Sequence, residues 1–367
     1  YEISESINLS FFGNIFKLEI PIIRQSLFAV FSIIFSLCFL SFAIVMALGG
    51  SPKNSTLEVA IFQYALFDLN FNKAILLSFI QIFICIIFAF IGFHKFKGSN
   101  FFEIGSIKYK HPHKNKILIK LIDYFLIVLF SFFLFSPVIL IYSEFLNSIF
   151  FEIELTFTFI HAFINSILIS LSTGVVVSIF GLLISYLLVI NHKNFLLQQL
   201  LFLTSSMILI ISPIIFSLGY FIFFQPIIHY SYLKFFLVIL INVIFLLPFA
   251  ILIFFNNLKN LYLNFNDFRK TYRIELFSYI KIIFPLLKNN FLYVFSFSTV
   301  ITLGDFTIIS FFRSENFETL PSYLFKLIST YQFNEASFVA GTILFISMVI
   351  YFIIDNFNYQ GRPDITT

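Results

Sequence analysis

Long apolar runs separated by short polar segments organise this chain. A membrane-crossing helix needs about 20 apolar residues. Eight runs qualify: 26–49, 73–93, 121–142, 162–190, 196–224, 235–256, 291–312 and 338–355. They predict an all-α polytopic membrane protein with about eight spans. Pro213 and Pro248 fall inside two of the runs. A proline removes an amide donor, and a helix in lipid tolerates that where neighbours re-satisfy the freed carbonyl. Those two helices are therefore expected to face other helices. Residues 257–290 form a mixed polar stretch, far longer than the roughly 2–8 residues that join most helices. Ile274, Phe277, Ile280 and Ile283 recur there at helical spacing. The pattern predicts a short amphipathic helix ended by Pro285, which either docks into a partner or lies on the membrane surface.

The runs are also arranged as an internal repeat. IFKLEIPIIR (15–24) matches YIKIIFPLLK (279–288), with Pro21 and Pro285 264 residues apart. At the same offset Phe42 in LSFAI meets Phe306 in GDFTI. TLEVAIFQYALFDLNFNKA (56–74) matches TLPSYLFKLISTYQFNEA (319–336) with a one-residue gap, pairing Thr56 with Thr319, Leu57 with Leu320, Phe71 with Phe333, Asn72 with Asn334 and Ala74 with Ala336. Residues 1–93 then read as the C-terminal part of a first copy, with two spans. Residues 94–120 are a basic linker, and 121–357 a complete second copy with six spans. By the 264-residue offset, about 140 residues carrying four spans are expected upstream of Tyr1. Even span numbers make the repeat parallel.

Composition agrees with the pattern. Hydrophobic types make up 60% of the 367 residues and charged types 11%, with mean hydropathy +1.00. Soluble domains carry about 25% charged residues, so a water-facing surface is excluded. The 60 Phe and absent Trp read mainly as compositional bias. The net charge of +4 is no nucleic-acid footprint. It is informative by position. With the segment before residue 26 inside, 17 of the 22 Lys and Arg lie inside, and Lys53, Lys73, Lys234, Arg313 and Lys326 lie outside. Both chain ends are then cytoplasmic by the positive-inside rule. His94, His111 and His113 sit in the basic linker with no Cys or carboxylate cluster, so a solvated linker is the reading rather than a metal site. Cys38 and Cys85 lie in apolar runs and read as buried packing residues, with no disulfide framework.

No G-x-x-x-x-G-K-[ST] occurs among the 12 Gly residues, so any ATP must be bound by a partner. No Ser-His-Asp set or zinc pattern points to an enzyme, and no cofactor is implied. Asp305 stands deep in a run, where a charge costs about 2.5–3.5 kcal/mol on insertion scales. Gly304 beside it would allow close approach of a backbone or ligand, and Thr302 and Thr307 supply hydroxyls. Two readings stand for Asp305: it lines a translocation path, or it fixes packing by hydrogen bonds. Ser41 holds its place in the first copy.

These features resemble the permease subunit of binding-protein-dependent ABC importers, in the form with two fused halves, over nearly the whole chain. The family carries a cytoplasmic E-A-A-x-x-x-G followed at a fixed distance by proline. Counting back from Pro21 and Pro285 puts Asn8 and Tyr272 at the Gly position and Glu2 and Asn266 at the Glu position; Glu2 alone matches. Asn165-Ser166, Gly181, Tyr186, SPIIFSLGYF (212–221) and LPFAI (247–251) also look like the family. Within it the resemblance is greatest to thiamine-transporting members, on LCFLSFAIVMALGG (37–50) and TLEVAIFQYALFDLNFNKA (56–74) with TLGDFTIISFF (302–312) and TLPSYLFKLISTYQF (319–333). Ferric-iron permeases share the G-D-F pattern loosely.

The resemblance implies a type I importer fold in the bacterial inner membrane and import by alternating access. It implies a cytoplasmic ATPase dimer gripping loops that include Glu2, Asn8, Pro21, Asn266, Asp267, Tyr272 and Pro285. It also implies a periplasmic binding protein docking on outer segments that carry Glu58, Asp68, Glu315, Glu318 and Glu335, with membrane lipid around the spans. Asp305, Gly304, Thr302, Thr307 and Ser41 would line the path, Asp305 suiting a cation such as thiamine. A ferric-iron or other solute permease, and a parallel-repeat secondary transporter, are the alternatives.

Overall fold

The computed structural model describes residues 16–17, 20–49, 55–94, 117–150, 157–190, 211–271, 276–314 and 317–359. The described residues are almost wholly helical. The helices are α1 (Ile20–Phe39), α2 (Ala43–Gly49), α3 (Leu57–Leu66), α4 (Phe71–His94), α5 (Ile117–Phe150), α6 (Phe157–Ile190), α7 (Pro213–Phe223), α8 (Ser231–Thr271), α9 (Leu276–Leu303), α10 (Ile309–Phe312), α11 (Leu320–Ser329) and α12 (Phe333–Tyr359). This is the expected all-α polytopic membrane protein. Five stretches are long and apolar enough to cross a membrane: Phe71–Phe88, Lys120–Asn147, Phe157–Ile190, Ser231–Leu261 and Phe333–Ile354.

Two expected spans are not continuous. The run 26–49 bends by 52° between α1 and α2. The run 291–312 is divided between the end of α9 and the short α10 by a non-helical turn over 304–308. Apolar composition marks depth in the membrane but not where the helical bonding stops. Of the run 196–224, residues 196–210 lie outside the described residues, and α7 covers its end.

The prolines divide differently from expectation. Pro248 lies inside α8 and is buried, as expected. Pro213 instead starts α7 behind the N-cap Ser212, whose Oγ accepts from the Ile215 N–H at 3.3 Å. A proline fits there because its missing N–H has no helical partner anyway. Pro285 lies inside α9 and does not end a helix, and the described residues of 257–290 belong to α8, which runs on to Thr271, and to α9. Cys85 is buried as expected. Cys38 is exposed on α1, because apolar character in a membrane protein serves lipid-facing surface as well as core.

α6 packs against both α8 and α9. Small residues permit these approaches: Gly174 faces Thr299 and Phe295 of α9, and Gly181 faces Ala250 of α8. α12 packs on α5, α9 and α11, and α1 packs on α4. α5 exposes apolar side chains nearly all round, from Leu121 to Leu146.

Two sets of elements correspond in order and size. The break after Phe39 is matched by the break after Leu303. α3 and α11 are both ten residues long. Each is followed by a non-glycine residue of positive φ, Leu69 (51°) and Tyr331 (61°), before α4 and α12 begin. A left-handed backbone costs an ordinary residue about 1 kcal/mol or more, so its occurrence at both turns is a specific structural signature.

Candidate translocation site

The two helix breaks meet. Phe42, in the first break, stacks on Phe306, in the second, with ring centroids 5.8 Å apart and planes at 6°. Each ring has a further aromatic neighbour. Phe42 meets Phe62 of α3 at 5.0 Å, and Phe306 meets Phe325 of α11 at 4.7 Å. Phe62 and Phe325 are 263 residues apart, the offset of Thr56 and Thr319. Phe62 also meets Phe311 edge-on at 5.4 Å. Phe42 and Phe306 are 2% and 7% exposed, and one apolar cluster spans α3, α7, α10 and the two breaks.

The expected path residues flank this stack, because Ser41 precedes Phe42 and Asp305 precedes Phe306. Asp305 is committed to the turn: Oδ1 accepts from the Thr307 N–H at 3.0 Å and Oδ2 from the Ile308 N–H at 3.2 Å. An Asp bonding backbone amides two and three residues on holds an Asx-type turn. Thr307 thus contributes its amide, and its carbonyl accepts from the Ser310 hydroxyl at 2.7 Å. Thr302 is buried, and its Oγ1 has no partner among the described residues. The close approach expected at Gly304 is absent: a Cβ there would meet only carbonyls of its own helix, at 3.9 Å. Asp305→Ala frees two amides and is expected to cost about 1 kcal/mol. Asp305→Asn keeps one acceptor and is expected to recover part of that, measured by thermal unfolding in detergent.

Asn165 and Ser166 anchor α11. Leu320 N–H donates to Ser166 Oγ at 2.7 Å, and Asn165 Nδ2 donates to the Glu318 carbonyl at 3.0 Å. Thr319 N–H donates to Ser322 Oγ at 2.8 Å. The α11 N-terminus is therefore fixed by side chains of α6 and by its own first turn.

Glu58 is where reading the sequence alone went wrong. It was expected on an outer docking surface, but it is fully buried. Its Oε1 accepts from Gln81 Nε2 of α4 at 2.7 Å, and the Ser212 hydroxyl adjoins the carboxylate. Its place in an outer segment suggested surface, while the structure puts it in the first turn of α3 with its side chain turned inward. Of the other acidic residues, Asp68 is exposed, Glu335 is half-buried and Glu318 pairs with Lys326 at 3.5 Å. Glu315 lies outside the described residues.

Of the expected coupling residues, Pro21 and Pro285 have described side chains. Glu2, Asn8 and Tyr272 lie outside the described residues, as do the side chains of Asn266 and Asp267, although both are in α8. Pro21 lies in the first turn of α1 and Pro285 in α9, both exposed. Among the described residues no group of three His, Cys, Asp or Glu could hold a metal ion.

No protein-family model matches the chain. It is similar to thiamine transport system permease proteins. It is 28% identical to that of Haemophilus influenzae over 381 residues, covering all of this chain and 68% of the relative. It is 27% identical to that of Salmonella typhimurium and 26% to that of Escherichia coli, in each case covering 92% of this chain and 63% of the relative. The chain thus spans about two thirds of the length of these relatives. The likeness to thiamine permeases that the motif strings carried holds across the whole chain.

Proposed function

We propose that this chain is a permease subunit of an ATP-driven ABC importer that moves thiamine and its phosphates across the bacterial inner membrane by alternating access. The whole-length similarity to thiamine transport permeases carries this reading. The matched elements on either side of the Phe42–Phe306 contact support two fused, parallel halves. Equivalent residues of two copies touch where a pseudo-twofold axis runs. A path between the halves would follow that axis, and the ring stack would close it in this state. Thr302, Gly304, Thr307 and Ser41 lie beside it.

Both chain ends are cytoplasmic in this reading. An ATPase dimer grips the loops around Glu2–Pro21 and Asn266–Pro285, and its closure on ATP turns the halves apart on the far side. A periplasmic binding protein delivers the solute to segments that include Asp68 and Glu335. Replacing Asp267, Phe268 and Arg269 together by Ala is expected to uncouple hydrolysis from transport. Normal substrate-stimulated hydrolysis in that variant counts against the docking role.

The direct test is uptake of labelled thiamine at nanomolar concentration, expressed from the native locus with its ATPase and binding protein in a host without a thiamine importer. Uptake that needs ATPase activity and is competed by thiamine phosphates supports both class and substrate. An assembled, hydrolysing complex without uptake removes thiamine and leaves iron or another solute. Uptake that survives ATPase loss and collapses with a protonophore indicates a secondary transporter.

A further inference from the structure

The carboxylate nearest the stacked rings in sequence, Asp305, is taken up by two backbone amides. We propose that Glu58, with Gln81 and Ser212, is instead the counter-charge for a positively charged solute. This rests on the importer reading above.

Glu58, Gln81 and Ser212 are each completely buried. They come from α3, α4 and the N-cap of α7, so the cluster bridges the first and second halves. One hydrogen bond joins Glu58 Oε1 to Gln81 Nε2. Glu58 Oε2 and Gln81 Oε1, on either side of that bond, have no hydrogen-bond partner among the described residues, and neither has Thr56 Oγ1 one residue before α3. Among the described residues no cationic side chain forms an ion pair with Glu58, whereas Lys326 pairs with Glu318.

A buried carboxylate without a cation is costly, and unpaired buried acceptors add to that cost. What is missing is a positive charge with donors, not an anion. An N–H-bearing organic cation supplies both, and a phosphate supplies neither. Among the described residues no three ligating side chains gather there to hold a metal ion.

The second half lacks the pair. At the corresponding offsets Pro321 stands for Glu58 and Ile343 for Gln81. Among the described residues the Glu58–Gln81 pair therefore has no counterpart at the repeat offset. The cluster is closed in this state. It lies on the seam between α3 and α7, which the proposed separation of the halves would open.

The test uses the complete transporter, with labelled thiamine and deazathiamine, whose neutral thiophene replaces the thiazolium. Glu58→Gln keeps size and hydrogen bonding but removes the charge. We expect thiamine uptake to fall at least ten-fold while deazathiamine uptake stays within two-fold, with Glu58→Asp recovering part of the loss. Equal loss of both solutes, or unchanged thiamine uptake, overturns the assignment. A larger selective loss in Asp305→Asn than in Glu58→Gln also overturns it.

A second readout separates this inference from its parent. Thermal unfolding of purified transporter is followed with methylammonium, a small cation that carries N–H donors and none of the thiamine rings. If the native protein moves no thiamine yet is stabilised by this cation, and Glu58→Gln is not, the thiamine reading fails and the cation site stands. If the native protein is not stabilised and Glu58→Gln loses nothing in uptake, the site falls.

Discussion

Phe42→Ala and Phe306→Ala are each expected to lower stability by about 3 kcal/mol, the lower end of the range for removing a buried ring. The reasoning is one of contact. Transfer from water contributes little when the alternative is lipid, so the loss is mainly that of packing across the cavity left behind. Both rings are buried, and each touches the other and a further ring, Phe62 or Phe325. The double variant should cost less than the sum of the single ones, by about 0.5–1.5 kcal/mol, the coupling of an aromatic pair. Thermal unfolding of the four proteins in one detergent measures this. Strict additivity would show that the rings do not support each other. If the stack also closes the path, Phe306→Ala should raise basal ATP hydrolysis or solute leak in the assembled transporter. Leu at position 306 should restore stability better than tightness.

The second large effect is expected at Gly174. A Cβ there would collide with Thr299 Cγ2 and crowd Phe295, side chains of the helix packed against it. Gly174→Val forces α6 and α9 apart and should cost about 1–3 kcal/mol, the usual range for overpacking. Gly219, by contrast, has open space for a Cβ. Gly219→Ala is expected to leave stability within about 0.5 kcal/mol, or to raise it slightly, since alanine favours helix. Yield of folded protein by size exclusion, with thermal unfolding, separates the two sites. A well-folded Gly174→Val beside a damaged Gly219→Ala would contradict the packing described.

Asp305 and Glu58 show where sequence reasoning reaches its limit. Asp305 drew attention because it is a carboxylate inside an apolar run, and that signal is real. It cannot reveal that the chain turns there and supplies its own donors. Glu58 stood in a polar stretch between runs and was read as surface. The inward fold of α3 reverses that assignment. A signal for it was present: Gln81 is a polar residue in the middle of an apolar span, and a buried polar side chain needs a partner. Cys38 makes the opposite point, since an apolar run says nothing about which of its faces meets protein.

The sequence alone determined the all-α membrane class, the positions of the five long spans and the pairing of elements at offsets near 264. Those follow from hydropathy and self-similarity, which are properties of the chain read in order. It also marked Phe42 and Phe306 as counterparts. Only the tertiary structure decided that these counterparts touch and that two runs break at that contact. It alone decided that Asp305 is satisfied locally and that Glu58 is buried against Gln81. The physical reason is that polarity fixes which residues can leave water. Which buried polar groups find donors depends on contacts between residues far apart in the chain.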